Sequence, residues 1–217
     1  SVIFKIHFYR YFNEEINIYC KKIIRNSALL GLLISILAFL SVAGNLGGEI
    51  ESIFEIDLIE LSFETMQGKS YLLLIVGFSF LYFSYYFQHI FMNAFNIIGT
   101  VLILISFIVI GHSLSQGIYT QILLLIHLFC ISYWLGSFLP LKYMCNIKNF
   151  ENLYLVAHKF GVYATFYVGL LVMTGLTFSY FLLGGILPII NSTYGNVLIC
   201  KLLLVSSVLM IGAINKF

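Results

Sequence analysis

Long apolar stretches broken by short polar segments dominate this 217-residue chain. A transmembrane helix needs roughly 20 such residues. Stretches of that kind fall at about Ser27–Leu46, Ser70–Phe87, Ile90–His112, Tyr119–Leu141, His158–Leu183 and Gly195–Asn215. Phe, Leu and Ile runs of this length carry no two-residue alternation, which excludes strands. The pattern predicts an all-α, polytopic transmembrane helix bundle of about six spans. Residues 27–217 form that bundle. Ser1–Asn26 precedes it as a cytoplasmic lead-in, in which Val2–Phe12 reads as the tail of an earlier helix, and the chain as a whole reads as a fragment.

Charge placement sharpens this picture. No Asp, Glu, Lys or Arg occurs from Ser70 to Leu141, nor from Phe160 to Cys200. Both runs are too long for one crossing, so each must turn back through the bilayer. The lead-in carries Lys5, Arg10, Lys21, Lys22 and Arg25. The break after the fourth stretch carries Lys142 and Lys148, with Lys159 just beyond, and Lys216 lies near the end. With six alternating spans these basic residues share one side, the cytoplasmic side by the positive-inside rule. The opposite loop is acidic, with Glu49, Glu51, Glu55, Asp57, Glu60 and Glu64 against Lys69 alone.

Composition agrees. The chain is 61% hydrophobic and only 9% charged, where soluble domains are about a quarter charged. Too few charges exist to cover a water-facing surface, so lipid is the expected partner. A formal net charge of +2 gives no reason to expect nucleic acid. Cys20, Cys130, Cys145 and Cys200 are scattered without a CxxC pair, so neither a zinc ribbon nor a disulfide framework is indicated. No cleavable signal stands out. Two helix entries echo each other: Thr65-Met-Gln-Gly68 leads into the second span and Thr193-Tyr-Gly195 into the sixth, which sets Leu74 against Lys201. An internal repeat, common among transporters, is expected.

Ionisable groups inside a membrane are costly and therefore candidates for function. They are His89, His112, His127, His158 and Lys201. His112 closes the third span and His127 lies two turns into the fourth, both in the outer half. From the loop tip near Gln116 their backbones differ in depth by roughly 10 Å, so a shared ligand would need tilt or side-chain reach. His127, Cys130 and Trp134 fall at i, i+3 and i+7 on one helical face. Imidazole with a soft sulfur is a donor set that copper favours. The plainer account is a histidine bonded to a backbone carbonyl, with Cys and Trp as packing. His89 and His158 lie at inner helix ends near lysines, where interfacial packing suffices. Lys201 either snorkels to the headgroups or pairs with an anion in a coupling role. The methionines form no MxxM relay, and no catalytic set stands out.

Two stretches resemble a known family. His127-Leu…Tyr133-Trp134-Leu135-Gly136…Leu139-Pro140-Leu141 resembles the histidine-tryptophan-glycine helix of the copper resistance protein D family. Thr193-Tyr194-Gly195…Lys201-Leu202…Gly212-Ala213-Ile214-Asn215-Lys216 is similar to its closing signature, and Gly111-His112-Ser113 to its glycine-histidine turn. The resemblance covers about Glu64–Lys216. It implies an inner-membrane protein of about eight helices that handles copper beside a periplasmic copper-binding partner of the copper resistance C type. One helix before Ser1 and one or two after Phe217 would complete that count, and no C-type domain is fused here.

The expectation is therefore a copper-transport protein, not an enzyme, of the bacterial cytoplasmic membrane. His112 and His127, with Cys130, would be its metal contacts on the periplasmic side, and Trp134 and Lys201 further candidates. The rival is a b-type haem protein, an electron carrier or a protoporphyrinogen-oxidase-like enzyme, which also places histidines on adjacent helices. No helix here carries two histidines spaced to serve both leaflets, which counts against two haems.

Overall fold

A computed structural model describes residues 1–111, 117–147, 152–185 and 192–214. Among these residues the chain is helical, without strands. The elements are α1 (Val2–Phe8), α2 (Glu14–Gly47), α3 (Ile56–Glu64), α4 (Met66–Phe83), α5 (His89–Ser106), α6 (Ile118–Asn146), α7 (Leu153–Leu183) and α8 (Thr193–Ile214). Glu14–Gly47, Met66–Tyr86, Ile118–Asn146 and Leu153–Leu183 are long and apolar enough to cross a membrane. Two further apolar stretches, Ile90–Ser106 and Gly195–Ser207, are shorter.

The helix carrying the first apolar stretch begins well before Ser27. Asn13 caps α2, its Oδ1 accepting from the Ile16 N–H at 2.8 Å, and Glu14 and Glu15 follow in the first turn. A capping side chain and early carboxylates both favour a helix start. Charged Lys21, Lys22 and Arg25 end the apolar window without breaking the helix. At the other end the Gly48 backbone is left-handed, with φ 79°, and its N–H returns to the Gly44 carbonyl. The 34 residues between span about 51 Å, more than the hydrocarbon needs, so the charged first turns extend beyond it. The third predicted span likewise stops early, at Ser106, short of His112.

Helices α2, α4 and α5 pack in sequence as one group, and α6 pairs with α7. Close approach of α4 to α5 depends on glycine. A Cβ on Gly99 would lie 2.7 Å from the Gly77 carbonyl oxygen, nearer than any side chain can sit. Lipid gives helices no hydrophobic reason to associate, so small residues and buried hydrogen bonds hold such pairs. Ser70 Oγ donates to the Ser106 carbonyl at 2.8 Å, and Ser84 Oγ to Asn96 Oδ1 at 2.9 Å.

Helix α1 is a wedge in the bundle. Phe4 and Phe8 are fully buried, in one cluster with Ile16, Cys20, Tyr133, Met144 and Val156. Lys5 is buried with them, its ammonium donating to Met92 Sδ at 3.6 Å. Burial, helped by the Lys21 charge, holds this ammonium down to about 8. The two echoed helix entries share a cap. Thr65 Oγ1 accepts from the Gly68 N–H at 2.9 Å, and Ser192 Oγ accepts from the Gly195 N–H at 2.9 Å. Their surroundings differ. Helix α4 packs tightly between α2 and α5, whereas α8 stands across a cleft from α6 and α7.

Candidate functional site

That cleft, about 650 Å³ in volume, joins residues from both ends of the second half of the chain. Helix α6 contributes Leu124, His127, Ile131, Trp134 and Leu135; α7 contributes Leu171, Gly175 and Ser179 among others; α8 contributes Leu198, Lys201 and Leu202. The α6 set repeats at helical spacing, so one face of that helix forms the wall. Three candidates picked from sequence, His127, Trp134 and Lys201, thus line one space.

His127 is held by its backbone neighbours on α7. Its Nδ1 lies 3.1 Å from the Leu171 carbonyl oxygen, with Thr174 Oγ1 at 3.4 Å. A carbonyl only accepts, so Nδ1 carries the proton and the neutral ring keeps its lone pair on Nε2. Gly175 makes room for this. A Cβ there would sit 3.0 Å from His127 Cε1 and 3.3 Å from Nδ1. One nitrogen fixed on a carbonyl with the other free as a base is how proteins orient a metal-binding imidazole. The same Nδ1 bond is also the plainer role expected for this residue, and it leaves Nε2 uncommitted.

The other wall groups are donors. Trp134 Nε1 is buried without a hydrogen-bond partner among the described residues. Lys201 is exposed on the cleft, and no carboxylate lines it among the described residues. The chemistry on offer is one basic nitrogen, one ammonium and the Ser179 hydroxyl within apolar walls.

Cys130 is not on this wall. It is 1% exposed, on the buried face of α6 with Tyr133, and neighbours Tyr167 of α7. Its place three residues after His127 turns it roughly 60° from that side chain, whereas Trp134 is turned only about 20°. That difference separates core from cleft. His112 lies outside the described residues, as does the side chain of His89. His158 is exposed, stacked on Tyr154 with ring centroids 6.3 Å apart. Among the described residues no three His, Cys, Asp or Glu side chains form a metal-holding group.

A second polar cluster was not singled out from sequence. His7 Nδ1 donates to the Ile3 carbonyl at 2.9 Å, and Tyr167 OH meets His7 Nε2 at 3.0 Å. Tyr133 packs on Tyr167 with centroids 4.2 Å apart and on His7 at 5.4 Å. The i, i+4 tyrosines Tyr163 and Tyr167 were the available signal.

Compared with known protein families, characterised proteins and solved structures, the chain matches none.

Proposed function

We propose that the chain is a copper-transport protein of the bacterial cytoplasmic membrane, drawing copper from the periplasmic side through the α6–α7–α8 cleft. One observation carries this reading. The two stretches that resemble the copper resistance D family lie far apart in sequence, yet His127 and Trp134 from one and Lys201 from the other line the same space. The reading takes all six apolar helices as crossings; the helix starts at Thr65 and Ser192 share a cap, but the unlike surroundings of α4 and α8 do not favour the internal repeat.

On this reading His127 Nε2 is the cleft's copper ligand, and His112, outside the described residues, would be a second contact. Lys201 keeps binding weak. Like charges within one cleft repel, so the ammonium opposes a bound cation. That suits a site through which an ion must pass rather than rest. A periplasmic copper-binding protein of the C type would deliver the ion to the acidic outer loop. Anaerobic titration of the purified protein against a chromophoric Cu(I) chelator should find a bound ion that His127→Ala loses. Equal binding by both proteins would refute the assignment.

The cleft volume and its apolar walls favour haem b as the second reading. The residues fit it: His127 Nε2 would ligate the iron and Lys201 would face an acidic side group. Bound there, haem would supply one-electron transfer. A Soret band in the purified protein selects this reading, and its absence removes it.

A further inference from the structure

Below the cleft, polar side chains continue along the α6–α7 seam toward the cytoplasmic end. On α7 they are Thr174, Tyr167, Lys159 and the exposed Tyr163, which follow one helical face, with Asn152 at the N-cap. The steps from Thr174 to Lys159 cover about 22 Å of helix, most of a ~30 Å hydrocarbon core. Cys130 and Tyr133 of α6 face them, and His7 of α1 and Tyr11 beside it close the seam. Thr174 touches His127 at the top. At the bottom Lys159 Nζ donates to Tyr11 OH, and Asn152 Nδ2 donates to the Tyr11 carbonyl at 3.3 Å.

The centre is chemically specific. With Nδ1–H committed to the Ile3 carbonyl, His7 Nε2 must be the acceptor, so Tyr167 OH donates to it. Beside this pair Tyr133 is fully buried, and its hydroxyl has no partner among the described residues. Leaving a hydroxyl unpaired in an apolar interior costs on the order of 1–3 kcal/mol. Packing alone would place Phe at this position. A buried hydroxyl beside a tyrosine–histidine pair calls for a mobile partner such as a bridging water.

We propose that Tyr133, Tyr167 and His7 form the centre of a proton relay linking the cleft to the cytoplasmic face. A tyrosine hydroxyl donates and accepts at once. Tyr167 passes its proton to His7 Nε2 while taking another from the Tyr133 side. The ring then turns its Nδ1–H off the Ile3 carbonyl and gives that proton toward Tyr163, whose ring centroid lies 5.5 Å away, and the Lys159–Tyr11 pair. One proton enters, one leaves, and no other bond changes. The groups that face the pair are Cys130 and Tyr133 from α6, Tyr163 from α7, and Lys159 with Tyr11 below. Proton relays in pumps and transporters run through chains of ionisable side chains, histidine among them, within the membrane. The inference goes beyond the copper reading and does not require it.

The test uses the full chain in liposomes that trap a pH-sensitive dye, with a valinomycin potassium potential as driving force and ascorbate-reduced Cu(I) added outside. Copper uptake is counted in the same vesicles. The wild-type protein should move protons well above protein-free liposomes. Tyr167→Phe, which removes only one oxygen, and His7→Gln should each lower that flux at least fivefold, and Tyr133→Phe severalfold. Tyr154→Phe, an exposed tyrosine off the seam, should leave it unchanged. Retained thermal unfolding in detergent separates lost relay from lost fold. Proton flux without copper uptake supports the relay and overturns the copper reading. No wild-type flux, or wild-type flux in folded Tyr167→Phe and His7→Gln, overturns the relay.

Discussion

Replacing Gly175 by Ala should disable His127 without unfolding the protein. The added methyl would lie 3.0 Å from His127 Cε1, so the ring must retreat by a few tenths of an ångström. Its bond to Leu171 is already 3.1 Å, near the long end of the useful range, and the retreat breaks it. A hydrogen bond between membrane helices contributes about 0.6 kcal/mol and at most about 1.7. Gly→Ala inside a helix returns about 0.5–1 kcal/mol. These nearly cancel, so the midpoint of thermal unfolding should barely move. The ring, freed from the carbonyl, then shares its proton between both nitrogens and loses the fixed lone pair on Nε2. If that bond's worth of orientation is lost, copper uptake should fall by about three- to twentyfold. Gly169→Ala is the control, because on the same helix nothing lies within 4 Å of an added methyl. Nitrogen-15 NMR of the ring reads the tautomer directly, independent of cargo. A Gly175→Ala protein with the wild-type tautomer and uptake would refute the reasoning.

Two further outcomes follow from charge. A cysteine probe at Glu55 should react with an impermeant reagent added outside intact cells and one at Lys142 should not; the reverse pattern would invert the bundle and move His127 to the inner half. Lys5→Met should raise stability by on the order of 2 kcal/mol at pH 7, because it removes a buried ammonium held down to about 8 from an ordinary 10.5. Between those values the unfolded chain binds more protons, so wild-type stability should climb with pH through that window. The variant should lack this slope, and a lower unfolding temperature for it would show that Lys5 is stabilising where it lies.

The helices were legible because bilayer thickness dictates their length and lipid forbids exposed backbone. Their inward faces were not. Helices α6 and α7 are apolar over most of their surface, so hydropathy alone does not mark which side meets the protein. His127, Cys130 and Trp134 therefore looked equivalent, although a rotation of roughly 60° sends Cys130 into the core. His7 escaped notice because it sits in a segment taken as a lead-in, while burial of Phe4 and Phe8 draws that segment into the bundle. Asn13 and the carboxylates after it could have revealed the early start of α2, since a helix extends through charged turns that an apolar window rejects. The convergence of Lys201 on His127 depends on tertiary packing that no local spacing encodes.

Copper uptake into liposomes is the most direct test of the central claim. Full-length protein should take up Cu(I) from outside with saturable kinetics, and His127→Ala, inserted to the same level, should fall to the protein-free rate while His158→Ala stays near wild type. Wild-type vesicles that accumulate no more copper than empty ones, or His127→Ala vesicles that accumulate as much as wild type, would contradict it.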